Sequence, residues 1–153
     1  MDAADLAVLA LIEPGELEDG ELCLTLESFG RHPFHRVPCY SFRMVHAEAG
    51  YELGGIRLRV GSTPHVECYA GHIGYSVHPE HRGHRFAARS VRLLVPFARR
   101  VGLNPIWITC DPDNLASKRS IELAGGVYVE TVDVPHDCAI FQNGHPRKCR
   151  YRL

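Results

Sequence analysis

The stretch GHIGYSVHPEHRGHRFAA, Gly71 to Ala88, decides the fold. It reads as a strand that runs out at Val77, where Pro79 has no N–H to offer a further ladder, followed by a short basic loop that feeds into a helix. The first N–H groups of a helix have no partner inside it and sit at the positive end of its dipole, so this junction suits phosphate oxygens. Arg82 and Arg85 add formal charge beside it. Gly83 permits a tight turn and keeps a side chain out of the space a pyrophosphate would need.

Downstream the period is helical. Residues 86–101 place Ala87, Val91, Leu94, Val95 and Ala98 on one face and Arg85, Arg89 and Arg92 on another, with Pro96 expected to kink the helix or end its regular part early. Asn104-Pro105 turns the chain into a buried-looking strand, residues 106–110, and Asp111 to Asn114 leads into a short helix over 115–124, stopped by Gly125-Gly126. Two last strands are expected at 127–134 and 149–153, with a turn at Asn143-Gly144-His145-Pro146.

Upstream, residues 40–47 and 53–60 flank Glu48-Ala49-Gly50-Tyr51 as a hairpin, its second arm alternating Ile56, Leu58 and Val60 with Arg57 and Arg59. Residues 65–77 read as extended. Leu22, Leu26 and Phe29 recur at helical spacing, which predicts an amphipathic helix over 16–29 with Gly30 past its end. Residues 6–12 read as a first strand, closed by Glu13-Pro14-Gly15. The resulting order of strand, helix, strands, helix, strand, helix, strands is that of a mixed α/β class, expected as a single domain over residues 1–153.

Val77-His78-Pro79 followed by Arg82-Gly83-His84-Arg85-Phe86-Ala87 resembles the pyrophosphate loop of the GNAT superfamily of N-acetyltransferases, which reads Arg/Gln-x-x-Gly-x-Gly/Ala after a strand ending Val-x-Pro. The first arginine and the final alanine are kept, and Arg85 stands where the motif has glycine. Ile106-Trp107-Ile108-Thr109-Cys110 is similar to the family's next strand, Asn114-Leu115-Ala116-Ser117 to the start of its next helix, and Gly125-Gly126 to its close. Residues 53–58 and 71–77 look most like an uncharacterised bacterial branch of predicted acetyltransferases.

The resemblance implies a mixed α+β fold with a mostly antiparallel central sheet, flanking helices and a splayed pair of parallel strands. It implies acetyl-CoA as co-substrate, held by Val77, His78, Arg82, Gly83, His84, Arg85, Phe86, Ala87 and Asn114, and transfer of the acetyl group by direct attack of a primary amine. In such a fold the strands at 72–77 and 106–110 part, and the amide near Val77 meets the thioester carbonyl, where it would stabilise charge in the tetrahedral intermediate. Direct attack needs no enzyme nucleophile, but the ammonium must lose a proton and the departing thiolate gains one. Many relatives place a tyrosine seven residues after the helix asparagine for the second task, a position held here by Ile121. Some relatives that modify ribosomal proteins instead carry a serine three residues after it, the position of Ser117. A serine in a first helical turn is more often a local backbone partner, and Asn114 reads also as a helix N-cap. His72 is the candidate base because a neutral imidazole is common near pH 7, with Glu67, Glu130 and ordered water as alternatives.

The remaining residues bound the function by exclusion. A net charge of −1 supplies no global field toward nucleic acid, which opposes a nucleic-acid reading of the Arg82, Arg85, Arg89 and Arg92 ridge. His78, His81 and His84 straddle a strand end, a proline and a loop with no cysteine or carboxylate at a ligand spacing, so no metal is expected. The six cysteines contain no Cys-x-x-Cys pair and read as reduced thiols, and neither Cys68 nor Cys110 has an identifiable histidine partner for an acyl-enzyme. Residues 6–12 are too short to span a bilayer and follow no positive residue, so a cytoplasmic protein without a membrane partner is expected. Ile121 and Arg85 motivate a rival reading, a non-catalytic acyl-CoA binding or sensing domain. The acceptor is left open between an amine-bearing small molecule and a protein, and a homodimer is allowed.

Overall fold

The computed structural model describes residues 12–31 and 34–153. The strand expected at 6–12 therefore lies outside the described residues except for Ile12. Two sheets carry the architecture, a four-stranded one and a three-stranded one. The first is a meander of β1 (Leu22–Arg31), β2 (Pro38–His46), β3 (Glu52–Arg59) and β4 (Ile73–Val77), each antiparallel to the next. Alternation on β2 turns Tyr40, Phe42 and Met44 into the core, where Tyr40 meets the ring of Phe97 edge-on at 5.0 Å between centroids.

The helix expected over 16–29 is not formed; its second half is β1. Leu22 and Leu24 are both buried, a spacing of two that an extended chain satisfies, and the ladder to β2 runs from Leu22↔His46 to Arg31↔Pro38. A bulge between Leu26 and Ser28 inserts one residue, and that irregularity produces the apparent helical spacing from Leu26 to Phe29. The Asp19 carboxylate starts the strand by accepting the Glu21 and Leu22 N–H groups at 3.2 and 2.9 Å.

The second sheet places β7 (Arg147–Arg152) between β5 (Trp107–Cys110) and β6 (Val127–Asp133), antiparallel to both. Helix α1 (Phe86–Arg100) buries Phe86, Ala87, Val91, Leu94, Phe97 and Ala98, the face anticipated from its period. Pro96 sits on the exposed side of α1, and the helix continues past it to Arg100. Helix α2 (Leu115–Leu123) follows β5, and a one-turn helix α3 (Ala139–Gln142), unforeseen in the sequence, precedes β7. No helix among the described residues is long and apolar enough to cross a membrane.

Residues 65–70, expected to be extended, instead wind into a π-helical turn, Val66–Ala70, closed by the Gly71 N–H on the Val66 carbonyl at 2.6 Å. The turn delivers the chain to the point where the two sheets touch. A Cβ on Gly71, whose φ is 76°, would lie 3.1 Å from the Trp107 carbonyl oxygen and the Thr109 nitrogen, so the approach requires glycine. Beside it the His72 N–H donates to the Trp107 carbonyl at 2.6 Å, and the Trp107 N–H donates to His72 Nδ1 at 2.9 Å. Beyond this seam β4 and β5 form no ladder. Gly74 and Tyr75 of β4 and Thr109 and Cys110 of β5 line one cavity, so the strands start in contact, run the same way and diverge.

His72 is thus a core residue of the seam and not a wall of the cleft, which corrects its assignment as general base. Its imidazole is fully buried, and burial, reinforced by the charge of Arg59, pushes its pKa down to about 4. The folded chain holds the ring neutral, so as pH falls below about 6.5 the unfolded chain takes up the proton first and stability drops. Between pH 7 and pH 4.5 the wild type should lose roughly 2–3 kcal/mol more than His72→Gln, measured by urea unfolding. Parallel pH profiles for the two proteins would contradict this.

Candidate active site

The first cavity, about 430 Å³, opens where β4 ends and α1 begins. Val77, Arg82, Gly83, Arg85, Phe86, Ala87, Asn114 and Ser117 of the expected site line it. A single 3-10 turn, Pro79–His81, ends β4, and Arg82 folds back so that its Nε donates to the Val77 carbonyl at 3.1 Å. The loop then takes left-handed backbone angles twice, at Gly83 (φ 93°) and at Arg85 (φ 62°, ψ 24°). Arg85 is the N-cap of α1 and no side chain caps the helix; the first bond of the helix runs from the Arg89 N–H to the Arg85 carbonyl. The amides of Phe86, Ala87 and Ala88 are left to an outside acceptor. The left-handed angles of Arg85 also explain why the resembling motif carries glycine there, since a Cβ in that region costs about 1–2 kcal/mol.

The His78 N–H donates to the Leu53 carbonyl at 2.9 Å, so by strand alternation the Val77 amide faces the other way, toward the gap beside β5. On the far wall Asn114 caps α2, its Oδ1 accepting the Ser117 N–H at 3.1 Å. The Ser117 hydroxyl lies 2.9 Å from the Tyr75 hydroxyl, which also reaches the Ser117 carbonyl at 3.3 Å. Burial raises the Tyr75 pKa above the ordinary phenol value, so it remains a proton donor at neutral pH. Ile121 is fully buried against Gly126 and belongs to the core.

A second cavity of about 400 Å³ shares Tyr75, Asn114 and Ser117 with the first. Its walls bring together Arg59, Cys110, Asp111, His145 and Lys148 from three separate parts of the chain. Asp111 bonds His145 Nδ1 at 2.7 Å and pairs with Lys148 at 2.9 Å. Burial would raise the Asp111 pKa, but Lys148 and His145 outweigh it and hold the carboxyl below its ordinary value. Because a carboxylate only accepts, His145 Nδ1 carries the hydrogen and its Nε2 is left as the basic nitrogen of the neutral ring. The Cys110 thiol is pushed up to about 11, chiefly by burial, which makes it a poor nucleophile.

This arrangement carries a family signature. Residues 13–127 match the acetyltransferase (GNAT) domain family. The chain belongs to the GNAT acetyltransferase family. No curated protein sequence matches it. Among solved structures, this GNAT domain is similar to a putative ribosomal-protein-serine acetyltransferase from Vibrio cholerae, with a TM-score of 0.65, 13% identity and coverage of 93% of this chain and 99% of that one. A ribosomal L7/L12 α-N-protein acetyltransferase in complex with coenzyme A gives a TM-score of 0.64 at 12% identity, over 90% of this chain and 97% of its own. A microcin C7 self-immunity acetyltransferase in complex with acetyl-CoA and AMP gives 0.58 at 14% identity, over 75% of this chain and 60% of its own. The chain thus spans about 60% of the length of the microcin C7 self-immunity acetyltransferase, and at these identities the likeness establishes the fold alone.

Three expected site residues stand outside both cavities. His72 is in the seam, His78 Nε2 bonds Glu52 at 2.8 Å, and the His84 ring packs beside Phe86 at 5.5 Å. His81 stacks on Tyr51 at 5.3 Å, so the three loop histidines go to three different partners. Among the described residues no group of three or more metal-ligating side chains converges. Glu67 and Glu130 line neither cavity. Tyr75 and the second cavity were missed by sequence reasoning. A hydroxyl-bearing aromatic on the face of β4 opposite His72 was the available signal for Tyr75; the cavity residues are too far apart in sequence to have signalled anything.

Replacing the strained residue by the motif's own should relax the loop. Arg85→Gly is expected to raise unfolding free energy by up to about 1 kcal/mol, while Arg85→Ala, which keeps a Cβ at the same angles, should not. Chemical denaturation of both variants checks this, and equal responses would refute the strain.

Proposed function

We propose that this GNAT domain transfers an acetyl group from acetyl-CoA to a primary amine, with the first cavity taking the coenzyme and the second the acceptor. The observation that carries the proposal is their junction: Tyr75, Asn114 and Ser117 belong to both cavities, so a thioester entering from one side and an amine from the other would meet there. The acetyl-CoA and coenzyme A complexes of the microcin and ribosomal-protein enzymes support this use of the first cavity.

The amides at the start of α1, with Arg82 and Arg85, hold the pyrophosphate by hydrogen bonds and charge. The Val77 N–H orients the thioester carbonyl and strengthens its bond as negative charge grows on that oxygen. His145, held by Asp111, takes the proton of the ammonium through Nε2, and the freed amine attacks the carbonyl carbon. As the carbon–sulfur bond breaks, Ser117 gives its hydroxyl proton to the thiolate and is reprotonated by the more acidic Tyr75 hydroxyl 2.9 Å away, and the phenolate is restored by the second proton that the nitrogen sheds on becoming an amide. Tyr75 thereby supplies the acid that Ile121 cannot, which answers one of the two motives for a non-catalytic binding domain.

Thiol release from acetyl-CoA across a panel of primary amines tests the reaction. Tyr75→Phe and Ser117→Ala should each lower kcat by about 10²-fold and leave KM for acetyl-CoA within about threefold. Thermal stabilisation by acetyl-CoA without turnover of any amine would return the domain to a binding role. Separately, Arg82→Glu sets a negative charge at the pyrophosphate site and should weaken coenzyme A binding at least 10²-fold by calorimetry. Unchanged affinity would show that the phosphates lie elsewhere.

A further inference from the structure

Arg59 is the charged side chain that the proposed reaction leaves without a task. It ends β3, lines the second cavity and is only 8% exposed. Its Nη1 donates to the carbonyls of Ala70 and Gly71 at 3.1 and 3.0 Å. Nε is fully occluded and meets no acceptor, and Nη2 makes no hydrogen bond among the described residues. No carboxylate pairs with it there either: the nearest acid in the cavity, Asp111, is engaged by Lys148 and His145. A buried guanidinium without a counter-ion is expensive, because lost hydration is repaid only by a paired charge. Of these donors Nη2 is the one not fully occluded, and a charged donor there matches an oxygen of a carboxylate or phosphate. Gly74, one residue before Tyr75 on β4, leaves the end of the guanidinium uncrowded, since a Cβ there would lie 3.0 Å from Nη2 and 3.4 Å from Nη1.

We propose that Arg59 is the anion subsite of the acceptor cavity, so that the amine acceptor carries an oxyanion, carboxylate or phosphate, close to its amine. The inference rests on the second cavity being the acceptor side. Gly74 and Tyr75 are adjacent on β4 and both line this cavity, so an anion held by Arg59 shares its space with the Tyr75 that also lines the coenzyme side. Arg59 would then fix the acceptor through a charged group that takes no part in the chemistry, leaving the amine to His145 and the thioester.

Acetate and inorganic phosphate are the probes, titrated at constant ionic strength into the protein saturated with coenzyme A so that the helix start is filled. Each binding anion should raise Tm in a saturable way. Arg59→Gln should weaken the apparent Kd at least about tenfold. Because Arg59→Gln also removes two bonds to backbone carbonyls, Gly74→Ala serves as the second variant: it crowds Nη2, retains the arginine and should weaken anion binding likewise. Stabilisation by acetate alone assigns a carboxylate-bearing acceptor and by phosphate alone a phosphorylated one. No saturable stabilisation by either anion, or equal stabilisation of wild type and both variants, overturns the subsite. Failure of the acyl-transfer reading would show differently, as absence of thiol release while the Arg59-dependent anion effect persists.

Discussion

The structure depends on one pair of hydrogen bonds between β4 and β5. Each sheet is antiparallel and satisfies its own backbone, and the two are joined where His72 and Trp107 exchange bonds, one of them to a side chain. That second bond cannot be extended into a ladder, because an imidazole nitrogen stands in for the carbonyl a neighbouring strand would offer. The strands separate immediately beyond it. A neutral ring is a condition of the seam, since a protonated Nδ1 has no lone pair for the Trp107 N–H, and burial supplies that condition. Gly71 admits the close approach and His72 stops it, and from their adjacency come the gap, the free Val77 amide and the meeting of two cavities at Tyr75.

Charge is used locally. With a net charge of −1 the chain offers no long-range attraction for a polyanion such as coenzyme A, so in the proposed reaction the binding falls to the helix start and the arginines around it. The loop is shaped by two left-handed residues, Gly83 and Arg85, and Arg82 is folded back so that its Nε ties the loop to the Val77 carbonyl at the strand end. Arg89 on the next turn belongs to structure, bound by Asp19 and Glu21 at 2.7 and 2.8 Å, and is not part of the anion site.

What could be read from the sequence was what local periodicity and a short motif determine. The hairpin of β2 and β3, the faces of α1, and the order β4, α1, β5, α2 were legible because each depends on residues within a few positions of one another. The helix expected over 16–29 failed because Leu22, Leu26 and Phe29 satisfy either period, and only the distant ladder to β2 decides between them. Reading His72 as the base failed, and Tyr75 was missed, for a related reason: alternation divides β4 into two faces correctly, but which side chains meet the cleft is set by where β5 lies, a fact of tertiary structure. Arg59 was hidden by the same rule. Alternation with Leu58 marks it as outward, as Arg57 is, yet the chain folding back over the end of β3 through the π-helical turn encloses it.

The two proton tasks of the proposed reaction fall on opposite sides of the junction, and their surroundings differ accordingly. Tyr75 lies in the wall common to both cavities, where burial raises its pKa and keeps the proton on oxygen until a thiolate needs it. His145 stands on the more open side, oriented by a carboxylate whose own charge is already shared with Lys148. An acid that must not ionise early is best placed where water is scarce, and a base that must shed its proton to solvent is best placed where water is near. The divergence of β4 and β5 creates both environments within one continuous space, and so a seam of two hydrogen bonds accounts for the separation of acid from base as well as for the cleft itself.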